Sequence, residues 1–335
     1  MNICLVKTSS MGDVIHTLPA LTDAQRIIPN LQVDWVVEQS FAEIPRWHGA
    51  VNQVIPVAIR RWRKNLLSAQ TWQEWQTYKT QLQTTQYDAV IDAQGLLKSA
   101  LLATRLAKGT KYGYDKHSAR EGLSACFYDN TFSIPYHQHA VERIRQLFAR
   151  SLGYTVPESI GDYGLRAQFA NYLPDPTACS PYLIAVHATT REDKHWQEAY
   201  WATLFKSLTT QGFDVRLPWG NERERERAER LAKISERITV LPKLTLTELA
   251  QQIAGARAVI SVDTGLSHLT AALDRPNIIL YGATDPQLIG AYGKHQIYLS
   301  GNGMETILPQ QVEEALSGLF SANGAKTSDL KSPIT

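Results

Sequence analysis

Short apolar runs recur along the chain, and stretches of helical periodicity separate them. Ile3–Val6, Val33–Val37, Val51–Pro56 and Ala89–Ala93 read as strands, with Pro19–Ile28 as a helix after the first. The pattern restarts at Tyr182. Tyr182–His187, Phe213–Leu217, Thr239–Leu241, Ala258–Ser261 and Asn277–Tyr281 read as strands, and Trp201–Thr210, Glu222–Ser235 and Pro309–Phe320 as helices. Apolar runs of strand length alternating with helical patterns are what parallel βαβ units require when both sheet faces are covered. The predicted fold is therefore α/β, with two Rossmann-like domains. Gln168–Pro181 carries Pro174, Pro176 and Pro181 and reads as the linker between them. The expected boundaries are 1–168 and 169–320, followed by a polar, disordered tail over 321–335. A length of 335 residues suits that division. In open α/β sheets ligands lie beyond the carboxyl ends of the strands, so the chemistry is expected in those loops, around a cleft between the domains.

Composition narrows the setting. The chain is 44% hydrophobic and 20% charged, as an ordinary globular protein is. No apolar run approaches the roughly 20 residues needed to span a bilayer. Met1–Lys7 enters a strand directly, without the features of a secretory leader. Cys4, Cys126 and Cys179 show no pairing pattern, so a reducing cytoplasm is the expected compartment. Residues 1–168 hold 18 Lys/Arg against 14 Asp/Glu, whereas residues 169–335 hold 16 against 18. That asymmetry favours an anionic partner for the first half. Its densest positive cluster is Arg60, Arg61, Arg63 and Lys64 around Trp62, with Trp72 and Trp75 following; Lys98, Arg120 and Arg143 stand at other helix or loop starts. A pI near 8.3 argues against nucleic acid. An anionic lipid surface and a plain solvated face both suit the cluster.

Three loops carry unusual residues. Lys7–His16 follows the first strand with a single glycine, so it is neither a dinucleotide fingerprint nor a P-loop. Asp13 there suits either a helix cap or a general base at the cleft mouth, with Lys7 and Ser10 nearby. In Val186–Trp196, Thr189, Thr190 and Lys194 suit a phosphate, although a solvated loop would look the same. His187, Glu192, Asp193 and His195 do not have metal-ligand spacing. In the third loop Asp263-Thr264-Gly265 ends a strand and opens a helix, with His268 one turn in. Unpaired N–H groups at such a start attract an anion. Tyr281–Pro286 reads as a turn, and Glu222–Arg227, with Glu224, as a solvated face of alternating charge.

Taken in order, Lys7–Val14, Ile91–Leu96, His187–Thr190 with Lys194–Trp196, and Ser261–Ala272 resemble the lipopolysaccharide heptosyltransferase I family, within glycosyltransferase family 9. The resemblance spans about residues 1–320. It implies a GT-B fold, two Rossmann-like domains facing each other. It also implies inverting transfer of L-glycero-D-manno-heptose from ADP-heptose to the first Kdo of Kdo2-lipid A. By position, Asp13 matches the family's base, and Thr189, Thr190 and Lys194 its phosphate loop. Glu224 matches a ribose contact, and Asp263, Thr264, Gly265 and His268 the donor segment. Leu244 stands where the family often has a methionine near adenine, and Ala283 where it often has proline. No Asp-x-Asp pair occurs, so no metal or other cofactor is expected, and Lys194 with the Thr264-Gly265 helix start would balance the leaving ADP. The acceptor's phosphates and carboxylates would fall to Lys7, Ser10, Arg60, Arg61, Arg63, Lys64, Lys98, Arg120 and Arg143, with the protein lying peripherally on the cytoplasmic face of an anionic inner membrane. A later heptosyltransferase of the same core, a sugar-nucleotide epimerase and a non-catalytic binder of anionic lipid remain the alternatives.

Overall fold

The computed structural model describes residues 1–173, 182–189, 191–282 and 286–328, with backbone alone from 322. The Pro174–Pro181 part of the linker, Cys179, Ala283 and residues 329–335 lie outside the described residues. Two compact units emerge: Met1–Gln168 with Gln287–Ile289, and Phe169–Pro286 with the chain from Gly290 onward.

The first unit holds strands β1 (Asn2–Val6), β2 (Gln32–Glu38), β3 (Val51–Val57), β4 (Gln86–Asp92), β5 (Lys108–Tyr114) and β6 (Asn130–Phe132). They form one sheet in the order β3-β2-β1-β4-β5-β6, parallel throughout. The second unit repeats the plan with β7 (Tyr182–Val186), β8 (Asp214–Leu217), β9 (Ile238–Val240), β10 (Ala258–Val262), β11 (Asn277–Tyr281) and β12 (Gln296–Ser300). Their order is β12-β11-β10-β7-β8-β9, again parallel. Each is the doubly wound order, which reverses direction beside its first strand: between β1 and β4 in one unit, β7 and β10 in the other. Ligands in such sheets bind at that reversal, outside the carboxyl ends.

Strand ends fall within two residues of the sequence reading at most positions, except that β4 begins at Gln86 rather than Ala89. Strands β5, β6 and β12 carry too few consecutive apolar residues to announce themselves. In β5, Lys-Gly-Thr-Lys-Tyr-Gly-Tyr pairs by register with β4 and β6 rather than by burying a run. The last helix runs Pro309–Ser328, beyond the expected end at Phe320, because no proline interrupts it before Pro333.

Cores follow the central strands. Val6, Val36, Ile55 and Val90 pack with Tyr78 and Leu82 in the first unit. Leu183, Ala185, Ile260 and Ile278 pack with Trp201 and Phe205 in the second. A buried ion pair, Arg145 Nε to Asp23 Oδ2 at 2.6 Å, joins helix Ala140–Leu152 to helix Leu18–Ile27. Among the described residues no helix is long and apolar enough to cross a membrane.

Candidate active site

In the first unit, the loops after β1 and β4 are locked together at the reversal point. Gln94 Oε1 accepts hydrogen bonds from the Thr8 and Ser9 amides at 2.9 and 3.1 Å and from the Thr8 hydroxyl at 3.2 Å. Asp92, fully buried, fixes Gln94 in turn: it accepts from the Gln94 and Gly95 amides and from the Ser99 and Thr104 hydroxyls. Gly95 sits at φ +64°, where a side chain would be strained. Neither Gln94 nor Asp92 stood out in the sequence on physical grounds, since their partners lie far along the chain.

This frame aims Lys7 and Asp13 at each other. Lys7 is buried, its Nζ donating to the Ala93 carbonyl at 2.9 Å and standing 3.7 Å from Asp13 Oδ1. Asp13 Oδ2 accepts from both the Ser10 amide and the Ser10 hydroxyl at 2.9 Å. The carboxylate thus closes the start of helix Met11–Ile15 while its other oxygen faces the lysine. The cap and base readings are compatible, because they use different oxygens. Burial opposes ionisation of Asp13, but Lys7, the two Ser10 hydrogen bonds and the Arg120 charge outweigh it and hold the carboxyl below its ordinary range. Burial likewise lowers the pKa of Lys7, against the pull of Asp13 and Asp92.

The predicted basic residues fall into two groups on this sheet edge. Arg120 and Arg143 are close enough for their charges to act on Asp13 and Lys7, and the Arg143 guanidinium packs over Tyr114 and Tyr136 at 4.9 and 4.6 Å. Arg60, Arg61, Arg63 and Lys64 lie in and just after the turn Ile59–Trp62 that follows β3. The Arg60 amide bonds Glu38 Oε1 at 3.3 Å, and the Glu38 amide bonds the Thr8 carbonyl at 3.0 Å. Arg61 pairs with Glu74 at 2.8 Å, whereas Arg63 and Lys98 line an apolar cavity with Trp62, Trp72 and Trp75.

The second unit repeats the arrangement. Lys194, in the loop after β7, forms an ion pair with Asp263, in the loop after β10, both mostly buried. Thr189 Oγ1 reaches the Asp263 carbonyl at 3.4 Å. Thr264 caps helix Gly265–Ala272 in extended backbone without a side-chain hydrogen bond to its first turn, so its own side chain does not take up those N–H groups. His268, one turn in, is buried. Thr190 lies outside the described residues.

Thr189 and Glu224 line a second cavity of about 330 Å³, with His195, Asn221, Arg223 and Arg227. Glu224 accepts from the Gly220 amide and the Asn221 side-chain amide, both at 2.7 Å, and so stiffens the start of helix Glu222–Ala232. Leu244 is half-buried just before the helix Leu246–Gly255 and does not line this cavity. The alternating charges are not all solvated, as the sequence suggested. Arg225 pairs with Glu229 on the outside, but Arg227 turns inward to His195 Nδ1 at 2.6 Å and to the Trp196 carbonyl. Its spacing is identical to its neighbours', so only the fold distinguishes it. Among the described residues no three His, Cys, Asp or Glu side chains cluster to hold a metal.

Two buried histidines set an acid limit on this fold. His48 accepts from the Ala50 amide at its Nδ1 and pairs through Nε2 with Thr22 Oγ1 at 2.9 Å; burial lowers its pKa to about 4. His187, first in the loop after β7 that carries Thr189, is lowered to about 3 by burial first and then by Arg227. Both stay neutral when folded and gain protons near pH 6.5 when unfolded. Stability is therefore full above that pH and falls between about 6.5 and about 4, by on the order of 1.4 kcal/mol per unit for each histidine. Urea titrations at pH 7, 6 and 5 should show that slope, and His48→Gln should remove about half of it; an unchanged slope in the variant would exclude His48 as a source.

Two doubly wound units, each with polar loops gathered at its reversal point, make this an α/β protein of two Rossmann-like units, the architecture of GT-B enzymes. The glycosyltransferase family 9 (heptosyltransferase) model matches residues 75–316. Lipopolysaccharide heptosyltransferase 1 of Escherichia coli (strain K12) is 54% identical over 321 residues, covering 95% of this chain and 100% of that protein. The solved structure of E. coli heptosyltransferase WaaC with ADP superposes with a TM-score of 0.92 at 53% identity, covering 95% and 100% of the two chains. The same enzyme with ADP-2-deoxy-2-fluoro heptose gives 0.89 at 52%, covering 95% and 99%. The chain belongs to glycosyltransferase family 9, the heptosyltransferases.

Proposed function

We propose that this protein transfers L-glycero-D-manno-heptose from ADP-heptose to the first Kdo of Kdo2-lipid A, in lipopolysaccharide inner-core synthesis. The observation that carries this is 54% identity across the whole length of a protein named lipopolysaccharide heptosyltransferase 1. The donor rests on that enzyme class having been solved with ADP and with an ADP-heptose analogue. In this reading the second unit takes the donor. Thr189 and Thr190 meet the diphosphate, Lys194 and the uncapped helix start after Thr264 balance its charge, His268 adds a donor, and Glu224 and Leu244 receive the ribose and adenine. The first unit takes the acceptor, with Lys7, Ser10, Arg120 and Arg143 near the reacting sugar and Arg60–Lys64 with Lys98 on its anionic groups.

The reaction is one in-line displacement. The acceptor hydroxyl oxygen bonds to the anomeric carbon as the bond to the ADP oxygen breaks, inverting the centre. Asp13 takes the hydroxyl proton, and ADP leaves with the electron pair. Asp263 pairs with Lys194 in the structure, so the incoming diphosphate competes for an ammonium already held in place. No divalent ion is required, since Lys194 and the helix N–H groups supply the positive charge. The enzyme works peripherally on the cytoplasmic face of the inner membrane, where its lipid acceptor is presented.

ADP release from ADP-heptose should need Kdo2-lipid A and should survive excess EDTA undiminished. Release that stops in EDTA and returns with Mg²⁺ overturns the metal-free mechanism. Release only with an already heptosylated acceptor moves the enzyme to a later step, and epimerised donor without acceptor moves it to another class.

A further inference from the structure

The basic segment after β3 borders a cavity of about 480 Å³ whose apolar lining has no part in the chemistry above. Trp62, Trp75 and Leu102 form much of its wall. The Trp62 indole N–H donates to Glu74 Oε2 at 2.7 Å, and its ring meets Trp75 edge-on with centroids 5.9 Å apart, so this wall is set before any ligand arrives. Leu66 and Trp72 also line it, yet they are 62% and 58% exposed, and neighbouring Leu67 is fully exposed. Large apolar side chains gathered on a surface in this way mark a binding place. Apart from the indoles, the polar side chains in the lining are Thr71, Arg63 and Lys98. A nucleobase or sugar would find little to hydrogen-bond, whereas an apolar chain attached to an anionic group matches both the indole wall and the two cations.

We propose that this cavity seats one acyl chain of the lipid acceptor, with Arg63 and Lys98 meeting the acceptor's phosphate. The inference rests on the acceptor class given under Proposed function. It adds that the enzyme measures the lipid as well as the sugar. Each buried methylene strengthens binding by about fourfold, so a few of them separate acylated from deacylated acceptor by more than tenfold.

Equilibrium binding without donor tests this, read by intrinsic fluorescence with Kdo2-lipid A in dilute detergent and with its fully deacylated counterpart. Wild-type protein should bind the acylated form at least tenfold more tightly. Leu66→Gln/Trp72→Gln alters only exposed positions, adds no charge beside Arg63 and Lys98, and should erase that preference while leaving the deacylated affinity within twofold. Equal affinities in the wild type, or a preference that survives in the variant, overturn the proposal. A second arm does not depend on the variant's folding: acceptor with brominated chains should quench wild-type indole emission, and unquenched emission counts against the cavity. Quenching by brominated phosphatidylglycerol vesicles but not by brominated acceptor would assign the cavity to bulk membrane and overturn the acceptor assignment. Turnover of Kdo2-lipid A itself is scored separately; its absence would count against the proposed reaction while the chain preference remained readable.

Discussion

Asp13→Asn lowers kcat by about 10²–10⁴-fold, or roughly 3–5 kcal/mol, while donor affinity stays within about twofold. The substitution is nearly isosteric. Its amide oxygen can still accept from the Ser10 amide and hydroxyl, which meet one carboxylate oxygen at 2.9 Å, so the helix start is retained. What goes is the charge facing Lys7 and the capacity to take a proton. The environment makes this carboxylate a weak base: Lys7, Ser10 and Arg120 overcome burial and hold its pKa below the ordinary carboxylate range. Its rate contribution therefore comes chiefly from being charged and positioned at all working pH values. A folded-state pKa below the unfolded one also stabilises the protein above the ordinary carboxylate pKa, and that contribution is lost as pH falls through the folded value. The acid limb of kcat/KM should accordingly lie below the ordinary carboxylate range, with the buried histidines limiting stability before Asp13 protonates. Single-turnover rates of wild type and variant with saturating donor decide the matter. Near-normal turnover by a variant that still binds donor removes Asp13 as the base and leaves it a helix cap.

The parts of this site that were legible in the sequence share a local cause. Asp13 and the Thr264-Gly265 start are polar or small residues directly after short apolar strands, where a doubly wound fold places its ligand. Their positions could be read from neighbours a few residues away. What holds them is not local. Gln94 reaches Thr8 and Ser9 across more than eighty residues, and Asp263 reaches Lys194 across 69. Such a bond leaves no period in the chain. Arg227 shows the same limit, since in a helix of alternating charge only packing against His195 and Trp196 separates it from Arg225. The strands that escaped notice, β5 with its glycines and lysines foremost, are specified by register against neighbours already in place. Family resemblance supplied the sugar and the lipid; no spacing in the chain encodes a heptose.

Lys194→Ala lowers kcat/KM for ADP-heptose by about 10²–10³-fold, as loss of one preorganised charge-stabilising group does. Most of the loss should fall on kcat, because the ammonium matters more as negative charge builds on the departing ADP than in the bound substrate. Lys194→Arg should recover only part of the rate, a planar fork replacing a point charge. One confusion has to be removed. In the structure Lys194 neutralises Asp263, which is only 13% exposed, so alanine also strands a nearly buried carboxylate where the proposed function puts the donor phosphates. Stranding alone would repel ADP and weaken the fold, giving a similar loss of rate for a different reason. The double variant Lys194→Ala/Asp263→Asn separates the two. Asparagine keeps the shape of Asp263 without its charge. If the stranded carboxylate were the cause, the double variant would return toward wild-type kcat/KM and thermal stability. If the missing cation is the cause, stability returns but the rate stays low. Recovery of both, or an unchanged kcat/KM in Lys194→Ala itself, would leave the helix start at Gly265 to carry the leaving-group charge alone.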